Sequence, residues 1–375
     1  MKLVIAIDSF KGSLSSIEAG IAVKEAALKA FDTPLVTVCP LADGGEGAVE
    51  ALCEGLGGRT VKVDVTGPLY TPVEAEYCIL PDGKTAIVEM ASAAGITLVP
   101  NNMRDPLNTT TYGVGEMIRD AVSRGCREFI IGIGGSATND GGTGMLRALG
   151  FEFFKKNGQP MGMGAKGLKE LCSISTENAI LELSECKFRI ACDVTNPLCG
   201  QNGCSAVFGP QKGATPVTVS DMVKWLEGYA SIVKGILPNA DPNAPGAGAA
   251  GGLGFAFSAF LDAELQSGIK IVSELTHLEE HIKNADIVIT GEGRLDSQTA
   301  MGKAPIGVAK LAKTHGKRVI AFAGCVTEDA EALNDCGIDA FFPILRSIVT
   351  LDEALDKNNA YKNLVSTAYQ VFRLL

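Results

Sequence analysis

The chain has 375 residues, 46% of them apolar and 20% charged, and a formal net charge of −10. That length exceeds what one hydrophobic core usually serves, so two domains are expected, and no stretch approaches the roughly 20 apolar residues of a membrane-spanning helix. The 33 basic residues are spread too evenly to neutralise a run of phosphates, which argues against a nucleic-acid partner.

Taken in chain order, the pattern predicts a strand over 2–8, a helix over 15–31, a strand over 35–41 and a helix over 47–56. The first apolar run is too short for a signal-peptide core. The eleven cysteines, odd in number and scattered, fit a reduced, cytoplasmic compartment. Ser15 and Glu18 have the spacing of a capping box. A hairpin is expected over 73–90 around the turn Pro81-Asp82-Gly83, then a helix near 113–124, strands over 129–133 and 187–192, and a Pro/Gly-rich segment over 239–254. Its glycine-rich part, 246–254, is either a flexible linker or a place of close backbone packing or ligand approach. The C-terminal part predicts a strand over 286–290, a helix over 304–314, a strand over 318–323, a helix over 329–336, a strand over 340–343 and a closing helix. The two chain ends together supply five strands, enough for a flavodoxin-like, doubly wound parallel α/β sheet. The expected domains are thus 1–65 with 285–375, and an inserted, mixed α/β domain over 66–284.

In an open α/β sheet, ligands bind past the carboxyl ends of the strands where strand order reverses. That rule selects the loop holding Ser9 and Lys11, and the segment holding Gly291, Gly293, Arg294 and Asp296. Cations there can hold a carboxylate or phosphate, and glycines let backbone amides approach it. The loop after the second strand adds Asp43 and Glu46, a pair suited to magnesium, which takes one or two carboxylates and fills its shell with phosphate and water. The segment 132–144 follows a strand and precedes a helix. It reads as a phosphate cradle built on Gly134, Gly135, Ser136, Thr138 and Asn139, as a dinucleotide fingerprint with Glu152 as the ribose acid, or as a structural turn. No Walker A loop and no His-Arg-Asp catalytic loop occurs, and His277, His281 and His315 lie in polar, surface-like surroundings.

The segments Asp8-Ser-Phe-Lys-Gly-Ser-Leu14, Ala42-Asp-Gly-Gly-Glu-Gly47, Gly134-Gly-Ser-Ala-Thr-Asn-Asp-Gly-Gly142 and Thr290-Gly-Glu-Gly-Arg-Leu-Asp-Ser-Gln-Thr299 together resemble the bacterial glycerate kinase type 1 family. Ala191-Cys-Asp-Val-Thr-Asn-Pro-Leu198, Gly209-Pro-Gln-Lys-Gly213 and the glycine-rich 246–254 extend the resemblance over the whole chain. It implies a two-domain kinase that uses ATP and Mg2+ on D-glycerate and usually forms 2-phosphoglycerate. On that footing Lys11 and Arg294, with Lys212 as a further candidate, are assigned to anion binding, and Asp43 and Glu46 to the metal. Asp193 or Asp296 is assigned to hydroxyl activation. Arg104 is either a clamp for the glycerate carboxylate or a partner in a loop salt bridge. Nothing in the pattern specifies an oligomeric state.

Overall fold

The computed structural model of the chain describes residues 1–41, 48–300 and 303–375, with the side chains of 48 and 50 set aside. The chain is an α/β protein of two compact units: Met1–Asp43, Glu50–Leu56 and Gly268–Leu375 form one, and Gly44–Val49 with Gly57–Ser267 form the other. Among the described residues the strands are β1 (Lys2–Ile5), β2 (Leu35–Val38), β3 (Arg59–Thr66), β4 (Pro72–Ile79), β5 (Thr85–Glu89), β6 (Glu128–Gly132), β7 (Glu152–Lys155), β8 (Leu171–Ser175), β9 (Lys187–Ala191), β10 (Glu264–Gln266), β11 (Ile287–Leu295), β12 (Arg318–Val326) and β13 (Ala340–Pro343).

The first unit is a sheet in the order β13-β12-β11-β1-β2, every neighbouring pair parallel. This is the doubly wound, flavodoxin-like order, with its reversal between β1 and β11. Parallel strands buried on both faces read as continuous apolar runs. Leu3, Ile5, Ile287, Ile289 and Phe322 accordingly pack in one core with Ala19, Val23 and Ala26 of the helix Ser16–Ala30 and with Leu364, Ala368 and Phe372 of the helix Lys357–Phe372. The capping box opens that first helix: Glu18 N donates to Ser15 Oγ, and Ser15 N donates to the Glu18 carboxylate at 3.1 Å. Losing the Ser15 hydroxyl would cost about 1 kcal/mol.

β11 and β12 run further than their apolar patterns suggest. Pairing continues from Gly291↔Phe322 to Leu295↔Val326, so Gly291, Gly293 and Arg294 lie on a strand and not in the expected loop. Gly291 makes the extension possible. A Cβ there would stand 1.9 Å from the Phe322 carbonyl oxygen, and only glycine lets β12 approach so closely.

The second unit carries the sheet β10-β9-β6-β5-β4-β3, parallel from β10 to β5 and antiparallel from β5 to β3. Its core joins Val88, Ile131 and Ile190 of the strands to Met117, Ile118 and Phe257 of the helices. The expected hairpin is β4–β5, closed by Asp82, which accepts from Lys84 N, Thr85 N and Thr85 Oγ1. β3 has no counterpart among the expected elements, although Val61, Val63 and Val65 alternate with polar residues in the period of a half-buried strand. β7 and β8 form a separate antiparallel pair.

Candidate functional site

Three parallel strands of the second unit, β5, β6 and β9, end on the same rim, and the loop after β6 crosses it. Gly95, in the turn after β5, forms a bridge with Ser136, while Ile133 N reaches toward Ala191 O at 3.5 Å. Gly135, Gly141 and Gly142 have φ of 71°, 67° and 74°, a left-handed conformation that costs glycine little. Asp140, fully buried, organises the loop. Its carboxylate accepts from Thr111 N and Thr111 Oγ1 at 2.9 Å, from Gly142 N at 3.1 Å and from Gly144 N at 3.2 Å. Burial pushes that carboxyl above its ordinary range, and these donors oppose the push.

The glycine-rich segment 246–254 is not a linker. It is buried against this loop: Gly141 N donates to Gly251 O at 2.9 Å, and a Cβ on Gly251 would stand 2.1 Å from Thr138 O. Held between the two, Thr138 and Asn139 are wholly buried. Asn139 Nδ2 donates to Ser205 Oγ at 2.8 Å, but Asn139 Oδ1 and Thr138 Oγ1 have no partner among the described residues. Buried polar atoms are seldom left so.

Lys212 completes the cluster. Its side chain enters from the short turn Pro210–Lys212, and its ammonium donates to Ser136 Oγ and to Thr138 O, both at 2.6 Å. The residue is 3% exposed, and burial pushes its pKa down to about 8. Arg104 stands on the neighbouring turn. A Cβ on Gly213 would lie 2.2 Å from the Arg104 carbonyl oxygen, and Arg104 Nε is buried with no acceptor. Among the described residues Asp105 offers Arg104 no loop salt bridge: its oxygens accept from Leu107 N and Asn108 Nδ2 of its own turn. Asp193 is exposed just beyond the end of β9.

In the first unit the loop after β1 and the extended end of β11 lie side by side, where the strand order reverses. Asp8 N donates to Gly291 O at 2.9 Å, and a Cβ on Gly293 would lie 3.3 Å from Lys11 N. Lys11 is exposed, and Ser9 is half-buried with its amide on Asp8 Oδ1. Further along, Thr299 Oγ1 donates to the buried Glu292 carboxylate, and Gln298 N and Thr299 N donate to Asp296 Oδ1. Arg294 Nε lies 3.3 Å from Asp296 Oδ2, and Lys303 Nζ lies 3.9 Å from Glu292 and 4.0 Å from Asp296.

The structure therefore gathers Ser9, Lys11, Gly291, Gly293, Arg294 and Asp296 in one unit, and Arg104, Gly134, Gly135, Ser136, Thr138, Asn139, Asp193 and Lys212 in the other. Asp43 and Glu46, the metal candidates, lie outside the described residues. Lys303 and Thr299 were not singled out from sequence. The available signal for Lys303 was a lysine directly before Ala304-Pro305, where it N-caps the helix Ala304–Thr314. The dinucleotide reading fails on two counts. The helix after the loop has six residues, Thr143–Ala148, and Glu152 belongs to the separate β7–β8 pair, where it accepts from Asn178 Nδ2 at 2.9 Å. A ribose acid should instead end a neighbouring parallel strand. His277 and His281 are exposed, and His315 meets Glu279 at 3.1 Å.

Residues 3–375 match the model of the glycerate kinase family. The glycerate 2-kinase of Escherichia coli (strain K12) is 49% identical over 364 residues, 97% of this chain and 95% of that protein. A glycerate kinase of Haemophilus influenzae is 45% identical over 375 residues, covering 100% of this chain and 99% of its own length. Among solved structures, the crystal structure assigned to glycerate kinase 2 of Salmonella typhimurium LT2 superposes with a TM-score of 0.91 at 46% identity, covering 100% of this chain and 98% of that one.

Proposed function

Because the chain belongs to the glycerate kinase family, we propose that it transfers the γ-phosphoryl of ATP to a hydroxyl of D-glycerate, the 2-hydroxyl before the 3-hydroxyl. The observation that carries this reading is the full-length match to the glycerate 2-kinase of Escherichia coli (strain K12). The buried Lys212 cradle supports it independently, as a place for an anionic oxygen.

Phosphoryl transfer demands positioning and charge stabilisation more than covalent chemistry. We assign Lys212 and Arg104 to the anionic groups met by the second unit, with the exposed backbone of Gly134 and Gly135 beside them. Lys11, Arg294 and Lys303 supply positive charge in the first unit, and the Ser9, Gly291 and Gly293 backbone gives ligands close access there. For hydroxyl activation we keep Asp193 and Asp296 as the candidates. The Asp296 oxygens also accept from the Gln298 and Thr299 amides and pair with Arg294, which orients that carboxylate.

Magnesium fits a donor set of hard carboxylate oxygens, and a kinase site needs only one or two of them because phosphate and water fill the rest of the shell. We keep Asp43 and Glu46 for that role; a bound magnesium ion would neutralise charge on the phosphoryl oxygens. Among the described residues no group of three or more possible metal-ligating side chains is gathered. We place the enzyme in the cytoplasm, where its nucleotide is; no helix among the described residues is long and apolar enough to cross a membrane.

ADP release should be measured with ATP, Mg2+ and, in turn, glycerate, tartronate, glycerol and hydroxypyruvate. Release with D-glycerate alone, and a phosphorus NMR signal coupled to the C2 proton of the product, are expected. Preference for glycerol, or no glycerate-dependent release, would contradict the proposal.

A further inference from the structure

Lys212 holds its charge where, among the described residues, no acid bonds to it directly. Both partners of its ammonium, the Ser136 hydroxyl and the Thr138 carbonyl, are neutral. An ammonium has three N–H donors, so one is left over. Among the described residues it makes no ion pair. Among the described residues the titratable groups facing it are the Cys204 thiol of the helix Cys204–Phe208 and Asp140 of the loop after β6. Burial pushes the thiol up to about 11, which keeps it protonated. Asp140 attracts the ammonium through space, but its oxygens accept from Thr111, Gly142 and Gly144 and none bonds to Nζ, so the contact position beside the ammonium is left to another anion. On the adjoining turn, Arg104 adds a second cation. At the mouth, Gly134 and Gly135 are exposed, and their amides and that of Ser136 have no acceptor among the described residues.

We propose that the counter-ion of Lys212 is the ligand itself: a carboxylate or phosphoryl oxygen arriving at the Ser136 turn takes the ammonium's free N–H, and the lysine becomes fully protonated as that oxygen binds. The inference rests on the reading of Lys212 as an anion-binding group. The neutral fraction of the amine takes one proton from the buffer, the ligand keeps its charge and electrons, and no covalent bond changes. With the free amine titrating at about 8, the site is already charged below about pH 7 and affinity is flat there. Above pH 8 each binding event draws in a proton, and affinity falls toward about tenfold per pH unit.

Calorimetric titration of the wild-type protein at pH 9, in two buffers of different ionisation enthalpy, measures that proton directly. D-Glycerate is the ligand in one arm and ADP in the other, both fully ionised at this pH. The arm whose anion reaches Lys212 should show uptake of about 0.9 proton, and glycerate uptake, if it is that arm, should drop to about 0.1 proton at pH 7. Lys212→Met should abolish the uptake and weaken that ligand tenfold or more. Ser136→Ala keeps the lysine but removes an acceptor of its charged form, so the midpoint of the pH profile should move down. Binding without uptake in either arm, uptake that persists in Lys212→Met, or a midpoint unmoved in Ser136→Ala would overturn the inference while leaving the kinase reading intact. No heat from either ligand would overturn both.

Discussion

The loop after β6 and the end of β11 are both glycine-rich, both lie at the carboxyl ends of parallel strands and both gather polar side chains, yet they are built in opposite ways. The first is dry: Thr138, Asn139 and Asp140 are wholly buried, and its single ammonium is 3% exposed with neutral partners. The second is wet and paired: Arg294 has a side chain 63% exposed and shares Asp296 with Lys303. Charges in a dry frame act at low dielectric and cost stability when unpaired, whereas exposed pairs are screened and contribute little to it. The second unit's site is thus preorganised at the expense of the fold, and the first unit's cations are held at almost no cost to it.

The comparison breaks first at Asp140. Asp140→Asn replaces an acceptor of four hydrogen bonds with a group that must turn a donor toward some of those amides. We expect a loss of about 3 kcal/mol of stability and collapse of activity with it, read by denaturant melts. A normal melt would show that the buried frame is not what shapes the loop.

Lys11→Ala and Arg294→Ala test the wet side. Each should lower kcat/KM by about tenfold to a hundredfold, the scale of one charge-assisted contact, with the melting temperature little changed, since Lys11 and the Arg294 side chain are exposed. Wild-type kinetics in both variants would mean that neither cation serves the ligand. The smallest effect is expected at Thr299, whose hydroxyl donates to Glu292 and accepts from Asp296 N at 3.3 Å. Thr299→Val should cost about threefold to tenfold in kcat/KM; it sharpens the comparison by asking whether the acids of the first unit need orienting at all.

The fold was largely legible in the sequence. The strand order follows from apolar runs at both chain ends and the reversal rule, and the helix Ala304–Thr314 and strand Ala340–Pro343 lie where periodicity puts them. The site was legible in part. Glycine and charge marked segments that the fold gathers within each unit, but not the state of each residue. Gly291–Leu295 looked like a turn because glycine weakens a strand pattern; the tertiary approach of Phe322 overrides that local preference. Asp140 is one polar residue of a glycine-rich motif in the sequence, and burial turns it into the loop's internal anchor. Burial also separates Lys212 from Lys11, and no spacing rule carries that information. Lys303 went unnoticed because its partners Glu292 and Asp296 meet it only after the chain has turned.

Lys212→Met tests most directly whether the buried charge serves the ligand or the fold. The substitution removes an ammonium that burial disfavours in the ligand-free protein: with its pKa lowered to about 8, the lysine costs stability below that pH, and the cost is relieved as pH rises toward the ordinary lysine range. At pH 7 we expect glycerate-dependent ADP release to fall by on the order of a thousandfold in kcat/KM, while the melting temperature of the ligand-free protein holds or rises by about 2 °C. Near-normal turnover, or lost turnover with a large drop in melting temperature, would contradict the account.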